Sequence, residues 1–370
     1  MPFRLLHVIG ARPQFIKYFP LQQAIRRAAA KWSVENRVIH TGQHYDYRMS
    51  KIFFDELGIL EPDFHLEVGS GRHGQQTALV LQRVEEVLVN EKPDVVIVYG
   101  DTNSTLGGAL AAAKRHVPVA HIEAGLRSFS KKMPEEVNRV LTDHVSTYLF
   151  CPSETAVANL RREGFSPDTS QSIRMPDVDH PLVALAGDVM FDMLLHASGY
   201  AEKKSRILAE LKIEPKAYDL LTLHRAENTD EPRRLEEIIT FVNDVTAGTP
   251  VLFPMHPRMS GVYEEVQKPF AENVRIIEPL GYFDLLTALK NAGRLLTDSG
   301  GMQKEAYWLQ VPCITLRDET EWVETVQSGW NILFRDYHGE HRRTERPQAY
   351  GDGYAADKIV HSILERSFAK

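Results

Sequence analysis

Two carboxylates stand at the ends of apolar runs. VIVYGDTNST places Asp101 directly after a strand pattern, and VAHIEAGLR does the same with Glu123. Acids delivered to the mouths of neighbouring strands suit general acid and base chemistry better than packing. The plainer alternatives are an N-cap role for Asp101, ahead of a helix beginning near Ser104, and a salt bridge from Glu123 to Arg127. Downstream, PEEVNR opens a helix with Glu135 and Glu136, where acids also complement the macrodipole. The company of Asp101 and Glu123 is what draws Glu135 into the candidate set. Three carboxylates in one site can have their pKa values pushed apart, which supplies both a base and an acid.

A second group of motifs suits an anion. In GARPQFIK, Gly10 permits a tight turn, Pro13 fits a first helical position, and Arg12 and Lys17 can together meet a phosphate. LLTLHRAEN puts His224 and Arg225 after another strand pattern, and FPMHPR does so with His256. The sharpest motif is TDSGGMQKEA, where Ser299, Gly300 and Gly301 bring backbone amides to a helix N-terminus with Glu305 one turn in. That arrangement suits a diphosphate on the amides, with the carboxylate accepting from two ribose hydroxyls. No histidine or cysteine has metal-ligand spacing, so no metal is expected. GSGRHG at 69–74 matches a dinucleotide fingerprint in letters only. It follows a weak strand pattern, and the first strand lacks the fingerprint, so a flexible loop is the better reading and no cofactor is expected.

The elements that must position these residues alternate. Short β-branched runs (5–9, 37–40, 95–99, 117–122 and 148–150) are separated by helical-period stretches, and the second half repeats the scheme with runs at 219–223, 251–253, 275–277, 294–296 and 313–316. This is the signature of βαβ units and parallel sheets. With 370 residues the chain has room for two full cores. The three prolines and absent periodicity of 166–181 place the connection there, giving a first domain over 1–180 and a second over 181–353. A final helix over 354–370 is expected to pack back on the first domain. The net charge of −7 disfavours a nucleic-acid or anionic membrane partner, and no apolar run is long enough to span a bilayer, which reads as a cytoplasmic protein. Cys151 and Cys313, each beside apolar residues, read as buried thiols.

In combination the motifs resemble the non-hydrolysing UDP-N-acetylglucosamine 2-epimerases. The matching segments run from GARPQFIK through TGQH, YGDTNST, HIEAGLRS, PEEVNRVLTD, FCPSE, HRAEN and HPR to TDSGGMQKEA. The resemblance implies an α/β fold of two Rossmann-like domains facing across a cleft, of the glycosyltransferase-B type, and a homodimer. It implies that Arg12, His224, Ser299, Gly300, Gly301 and Glu305 hold UDP, with Lys17, Arg139, Arg225 and His256 completing the UDP-sugar contacts. Asp101, Glu123 and Glu135 would carry the proton chemistry, with His224 counted beside them. The implied reaction converts UDP-GlcNAc to UDP-ManNAc by loss and re-addition of UDP through a 2-acetamidoglycal, for surface polysaccharide synthesis.

Members acting on UDP-N-acetylglucosamine usually read GTRPE and SGGxQEE, whereas this chain has Gln14 and Lys304. These features look like the branch acting on UDP-2,3-diacetamido-2,3-dideoxyglucuronic acid, since an extra cation suits a sugar carboxylate. Some members bind a second substrate molecule near positions matching Gln43 and His44, although YDYRMS and GSGRHGQQ depart from their pattern. A UDP-sugar glycosyltransferase of the same architecture is the main alternative from another class. It would need a single base and an acceptor groove, and the cluster of three acids argues against it.

Overall fold

The computed structural model describes residues 2–42, 58, 61–166, 176–255, 257–340 and 348–368, with Arg12, Pro257, Arg258, Ser260, Glu265 and Ser367 described in their backbone alone. The chain divides into two compact units, Met1–Met193 with Ala349–Lys370, and Leu194–Gln348.

The first unit is built on β1 (Phe3–Ile9), β2 (Val34–His40), β3 (Phe64–His65), β4 (Val95–Tyr99), β5 (Val119–Ile122), β6 (Tyr148–Cys151) and β7 (Leu182–Leu185). They form one parallel sheet in the order β3-β2-β1-β4-β5-β6-β7. Its helices are α1 (Arg12–Ala28), α2 (His73–Glu91), α3 (Asn103–Lys114), α4 (Pro134–His144) and α5 (Glu154–Arg162). Val8, Val96 and Val98 of the central strands are fully buried and pack with Val80 and Val84 of α2 and Ala109 and Ala112 of α3. Strands covered on both faces need continuous apolar runs, which is why VVIVY carries no polar alternation.

Two sequence expectations are revised here. Because β7 pairs with β6 along Leu182–Leu185, the first unit extends past the connection placed at 166–181, to Met193. The glycine-rich stretch 69–74 is loop only as far as Arg72, since His73 opens α2 and the Gln76 side chain donates back to the Gly69 carbonyl at 2.7 Å.

The second unit carries β8 (Asp219–Thr222), β9 (Val251–Pro254), β10 (Val274–Ile277), β11 (Arg294–Thr297), β12 (Cys313–Thr315) and β13 (Asn331–Leu333), parallel in the order β10-β9-β8-β11-β12-β13. Between and around them run α6 (Val189–Lys204), which starts in the first unit, then α7 (Ile207–Leu211), α8 (Ala226–Thr229), α9 (Pro232–Val245), α10 (Pro257–Glu265), α11 (Tyr282–Asn291), α12 (Gly300–Trp308) and α13 (Val323–Gln327). Leu221, Leu235, Ile238, Phe253, Leu296 and Ile314 form its main core.

The last helix, α14 (Ala355–Phe368), belongs to the first unit. Asp192 caps it by accepting from the Ala355 and Ala356 amides at 3.1 and 2.7 Å, and Arg27 of α1 grips Asp357 with two bonds of 3.0 and 2.7 Å. Both cysteines are free and fully buried.

In each sheet the strand order reverses once, between β1 and β4 and between β8 and β11. At such a reversal the helices that follow two adjacent strands leave on opposite faces, and the loops at the carboxyl ends part to leave a crevice. Such reversals are where doubly wound sheets commonly present side chains to a ligand.

Candidate functional site

The reversal in the first sheet brings together the 10–14 loop and the 100–105 loop. Gly10 is required there: a Cβ on it would stand 2.0 Å from Ser104 Oγ and 2.3 Å from Thr41 Oγ1. Gln14, 1% exposed, ties the two loops. Its Oε1 accepts from the Gly10 and Ala11 amides at 2.7 and 3.0 Å. Its Nε2 donates to the Tyr99 carbonyl at 2.8 Å and reaches Thr102 Oγ1 and Thr105 Oγ1 at 3.1 and 3.0 Å. Sequence reasoning marked Gln14 as a substrate-branch signal, whereas its amide is committed to holding backbone.

Asp101 follows β4 and Glu123 follows β5, and the parallel register pairs Tyr99 with Ile122, so the acids leave adjacent strand ends. Each is ion-paired. Asp101 meets Arg139 and Glu123 meets Lys17. The helix cap of α3 is Thr102, whose side chain accepts from the Thr105 amide, so Asp101 is not spent as an N-cap. Arg127 bonds Asp143 and Glu163 instead of Glu123. Glu123 has φ +74°, an unfavourable conformation for a side-chain-bearing residue and one that clusters where function over-determines geometry. It is 7% exposed.

The α4 helix is fastened to the Asp101 loop by Asn138, which donates to the Asp101 carbonyl at 2.9 Å, and by Arg139. Its first-turn acids diverge. Glu135 is exposed. Glu136 is buried, accepting from the Ser128 and Phe129 amides at 2.8 and 3.0 Å and from Arg139 at 3.0 Å. Lys17 and Arg139, read from the sequence as substrate contacts, are thus also the cations that balance the two central acids.

The reversal in the second sheet is organised by a residue the sequence reading passed over. Asp298, fully buried at the end of β11, accepts from the His224 amide at 3.0 Å and the Arg225 amide at 2.8 Å, and lies 3.3 Å from His224 Nδ1. It thereby presents His224, whose side chain is 43% exposed, beside the start of α12. Its place inside the TDSGG motif was the available signal.

At that start Ser299 caps the helix, its Oγ accepting from the Met302 amide at 3.4 Å. Gly300 sits in a tight spot, since a Cβ would lie 3.0 Å from Glu321 Oε1 and 3.2 Å from Trp322 Nε1. Gly301 has open space there, Ser299 Oγ at 3.9 Å being nearest. Burial alone would raise the Glu321 carboxyl, but Arg317 and Arg225 hold it below the usual carboxylate range. One turn into α12, Glu305 is 6% exposed and accepts from Tyr282 Oη at 3.2 Å. Lys304 is 2% exposed, with Nζ 3.7 Å from the centroid of the Trp322 ring and 5.6 Å from that of Trp308. Its ammonium thus has an aromatic ring beside it, an environment with no sign in the sequence.

His256 lies outside the described residues, as do Gln43, His44 and the side chain of Arg12. Among the described residues no cluster of three or more metal-ligating side chains occurs.

With both crevices in place, comparison with known proteins becomes decisive. The family model described as UDP-N-acetylglucosamine 2-epimerase matches residues 26–364. This chain belongs to that family. Among its epimerase relatives, a UDP-N-acetylglucosamine 2-epimerase homolog of Methanococcus maripaludis is 50% identical over 336 residues, covering 89% of this chain and 88% of that one. A UDP-2,3-diacetamido-2,3-dideoxy-D-glucuronate 2-epimerase of Pseudomonas aeruginosa is 44% identical over 373 residues, covering 98% and 99%. The crystal structure of Methanocaldococcus jannaschii UDP-GlcNAc 2-epimerase in complex with UDP-GlcNAc and UDP matches with a TM-score of 0.84 at 40% identity, covering 98% of this chain and all of that one. The epimerase family also accounts for the fold, two parallel sheets of seven and six strands.

Proposed function

We propose that this chain is an isomerase, a non-hydrolysing 2-epimerase converting UDP-GlcNAc to UDP-ManNAc. The observation that carries the reading is the pair of ion-paired carboxylates, Asp101 and Glu123, on adjacent strand ends of one sheet, in a chain alike over its full length to an epimerase crystallised with UDP-GlcNAc.

The chemistry demands such a set. Carbon 2 of an acetamido sugar is not adjacent to a carbonyl, so removing its proton alone would leave an unstabilised carbanion. When the C1–O bond to UDP breaks as the C2–H bond breaks, the electron pair forms the C1=C2 bond of a 2-acetamidoglycal. UDP leaves with the C1–O electrons, and the proton goes to an enzyme base. Re-addition of UDP at carbon 1, with a proton delivered to the opposite face of carbon 2, gives the epimer. Two faces require groups on two sides, and Asp101, Glu123 and Glu135 are the residues we assign to them. Lys17 and Arg139 neutralise two of these acids, which lowers the electrostatic cost of admitting an anionic nucleotide sugar.

UDP is assigned to the second unit. The amides of Ser299, Gly300 and Gly301 receive the diphosphate at the N-terminus of α12, where the unsatisfied N–H groups favour negative charge. His224 and Arg225, set by Asp298, add donors, with His256 completing the set, and Glu305 takes the ribose hydroxyls. His224 can also supply a proton to the departing diphosphate. A sugar-activating product fits polysaccharide synthesis, and a homodimer and a cytoplasmic location belong to the same reading. Among the described residues no helix is long and apolar enough to cross a membrane.

The test is incubation with UDP-GlcNAc in deuterated water. Epimer carrying deuterium at carbon 2 is expected, without net release of free sugar. Product retaining its original hydrogen quantitatively would replace elimination with an internal hydride route, and transfer to an acceptor without epimerisation would return the glycosyltransferase alternative.

A further inference from the structure

Behind the acid-bearing loops lies a buried charged assembly that the proposed chemistry does not use. His121 of β5 is fully buried, and both its ring nitrogens face oxygens: Nε2 lies 2.8 Å from the Gly100 carbonyl and Nδ1 lies 2.7 Å from Asp143 Oδ1. A carbonyl can only accept, and burial, which would raise the Asp143 carboxyl, is outweighed by His121 and Arg127, which hold it below the usual range. The ring thus bridges the Gly100 carbonyl and the Asp143 carboxylate, one from each nitrogen. Asp143 in turn accepts from the Gly125 amide at 3.1 Å and from Arg127 Nη1 at 2.8 Å, and Arg127 is gripped by Glu163 through bonds of 2.7 and 2.6 Å.

The backbone groups this assembly holds are informative. Gly100 immediately precedes Asp101. Gly125 lies two residues after Glu123, whose φ of +74° needs an external restraint to persist. One imidazole–carboxylate pair therefore pins the loop of one acid by its carbonyl and the loop of the other by its amide.

We infer that His121 and Asp143 are positioning residues that set the separation of Asp101 and Glu123. Both side chains have 0% exposure, so neither touches substrate and any effect on turnover passes through the acids. Apolar residues of similar volume would fill this space at no electrostatic cost, since buried ion pairs seldom beat hydrophobic packing for stability. What apolar residues could not do is bond the Gly100 carbonyl and the Gly125 amide. Misplacement of a reacting group by about 1 Å costs on the order of 100-fold in rate, which is the scale such a brace protects.

This inference rests on the epimerase reading, and wild-type enzyme assayed alongside separates the two: a wild type that does not epimerise UDP-GlcNAc sinks the reading itself. His121→Gln and Asp143→Asn each keep part of the hydrogen bonding while breaking the imidazole–carboxylate contact. In an active wild-type background each is expected to lower kcat by about 10- to 100-fold, with the Kd for UDP, assigned to the second unit, changed less than about twofold. Combined with Asp101→Asn, His121→Gln should cost no more than about threefold beyond Asp101→Asn alone, because a brace has little left to position once its acid is gone. Unchanged kcat, a full multiplicative loss in the double variant, or failure of both single variants to fold would each overturn the inference, the last by assigning the pair to stability.

Discussion

Lys304 stands over Trp322, its ammonium 3.7 Å from the ring centroid and 5.6 Å from that of Trp308. A desolvated cation–π contact of this kind is worth about 1–2 kcal/mol. Lys304→Met should therefore lower stability by about that amount. The ratio of kcat/KM for UDP-GlcNAc to that for UDP-2,3-diacetamido-2,3-dideoxyglucuronate should stay within about threefold, less than 1 kcal/mol of discrimination. A selective loss of the acidic substrate by tenfold or more would return Lys304 to the sugar.

Lys17 and Glu123 are both largely buried, so removing one takes a close counter-charge from the other. Lys17→Met should cost about 2–4 kcal/mol in urea unfolding, and Lys17→Met combined with Glu123→Gln should recover part of that loss. Additive losses in this double-mutant cycle would show that the pair has no coupling. Turnover should fall in all three variants.

Gln14 places an amide nitrogen 2.8 Å from the Tyr99 carbonyl. Gln14→Glu retains the acceptor for the Gly10 and Ala11 amides but sets oxygen against oxygen at Tyr99, a cost of about 1–3 kcal/mol for the frustrated bond. Circular-dichroism melting of Gln14→Glu against wild type measures it. An equally stable Gln14→Glu enzyme would mean that the brace tolerates a carboxyl group, for instance by protonation.

Acid should destabilise the first unit through its histidines. Burial pushes the folded-state pKa of His7 down to about 3 and that of His40 down to about 4, from 6.5. Below pH 6.5 the unfolded chain binds protons that the folded chain refuses, so their stabilising contribution is complete above 6.5 and is lost as pH falls. Asp192 acts in the opposite sense, since burial raises it from 3.8 to about 6 and the folded chain is the better proton binder between those values. Between pH 4 and 6 these three groups leave a net slope of about one proton, or roughly 1.4 kcal/mol per pH unit. Urea midpoints measured from pH 4.5 to 7.5 should show this decline, and His7→Gln should flatten it. A variant with the wild-type slope would exclude His7 as a source.

The sequence by itself determined which chemistry-bearing residues end which strands. Runs such as VVIVY are apolar throughout because parallel strands are covered on both faces, so the pattern that reveals the strands also delivers Asp101 and Glu123 to their carboxyl ends. The glycine turn at Ser299–Gly301 is likewise local chemistry, readable because a helix N-terminus needs its cap and its unsatisfied amides within a few residues. What the tertiary structure decided were the partners. Strand order is not written in any local pattern, so only the folded sheet shows that Arg127 bonds Asp143 and leaves Glu123 to Lys17. Lys304 reads as a spare cation until the fold sets Trp322, on a later segment, against it. His121 and Asp298 look unremarkable in sequence, and Gln14 reads there only as a substrate signal, because bonds of theirs run to backbone groups brought close by the fold, and a backbone carbonyl or amide leaves no residue-type signal for its partner to be recognised by.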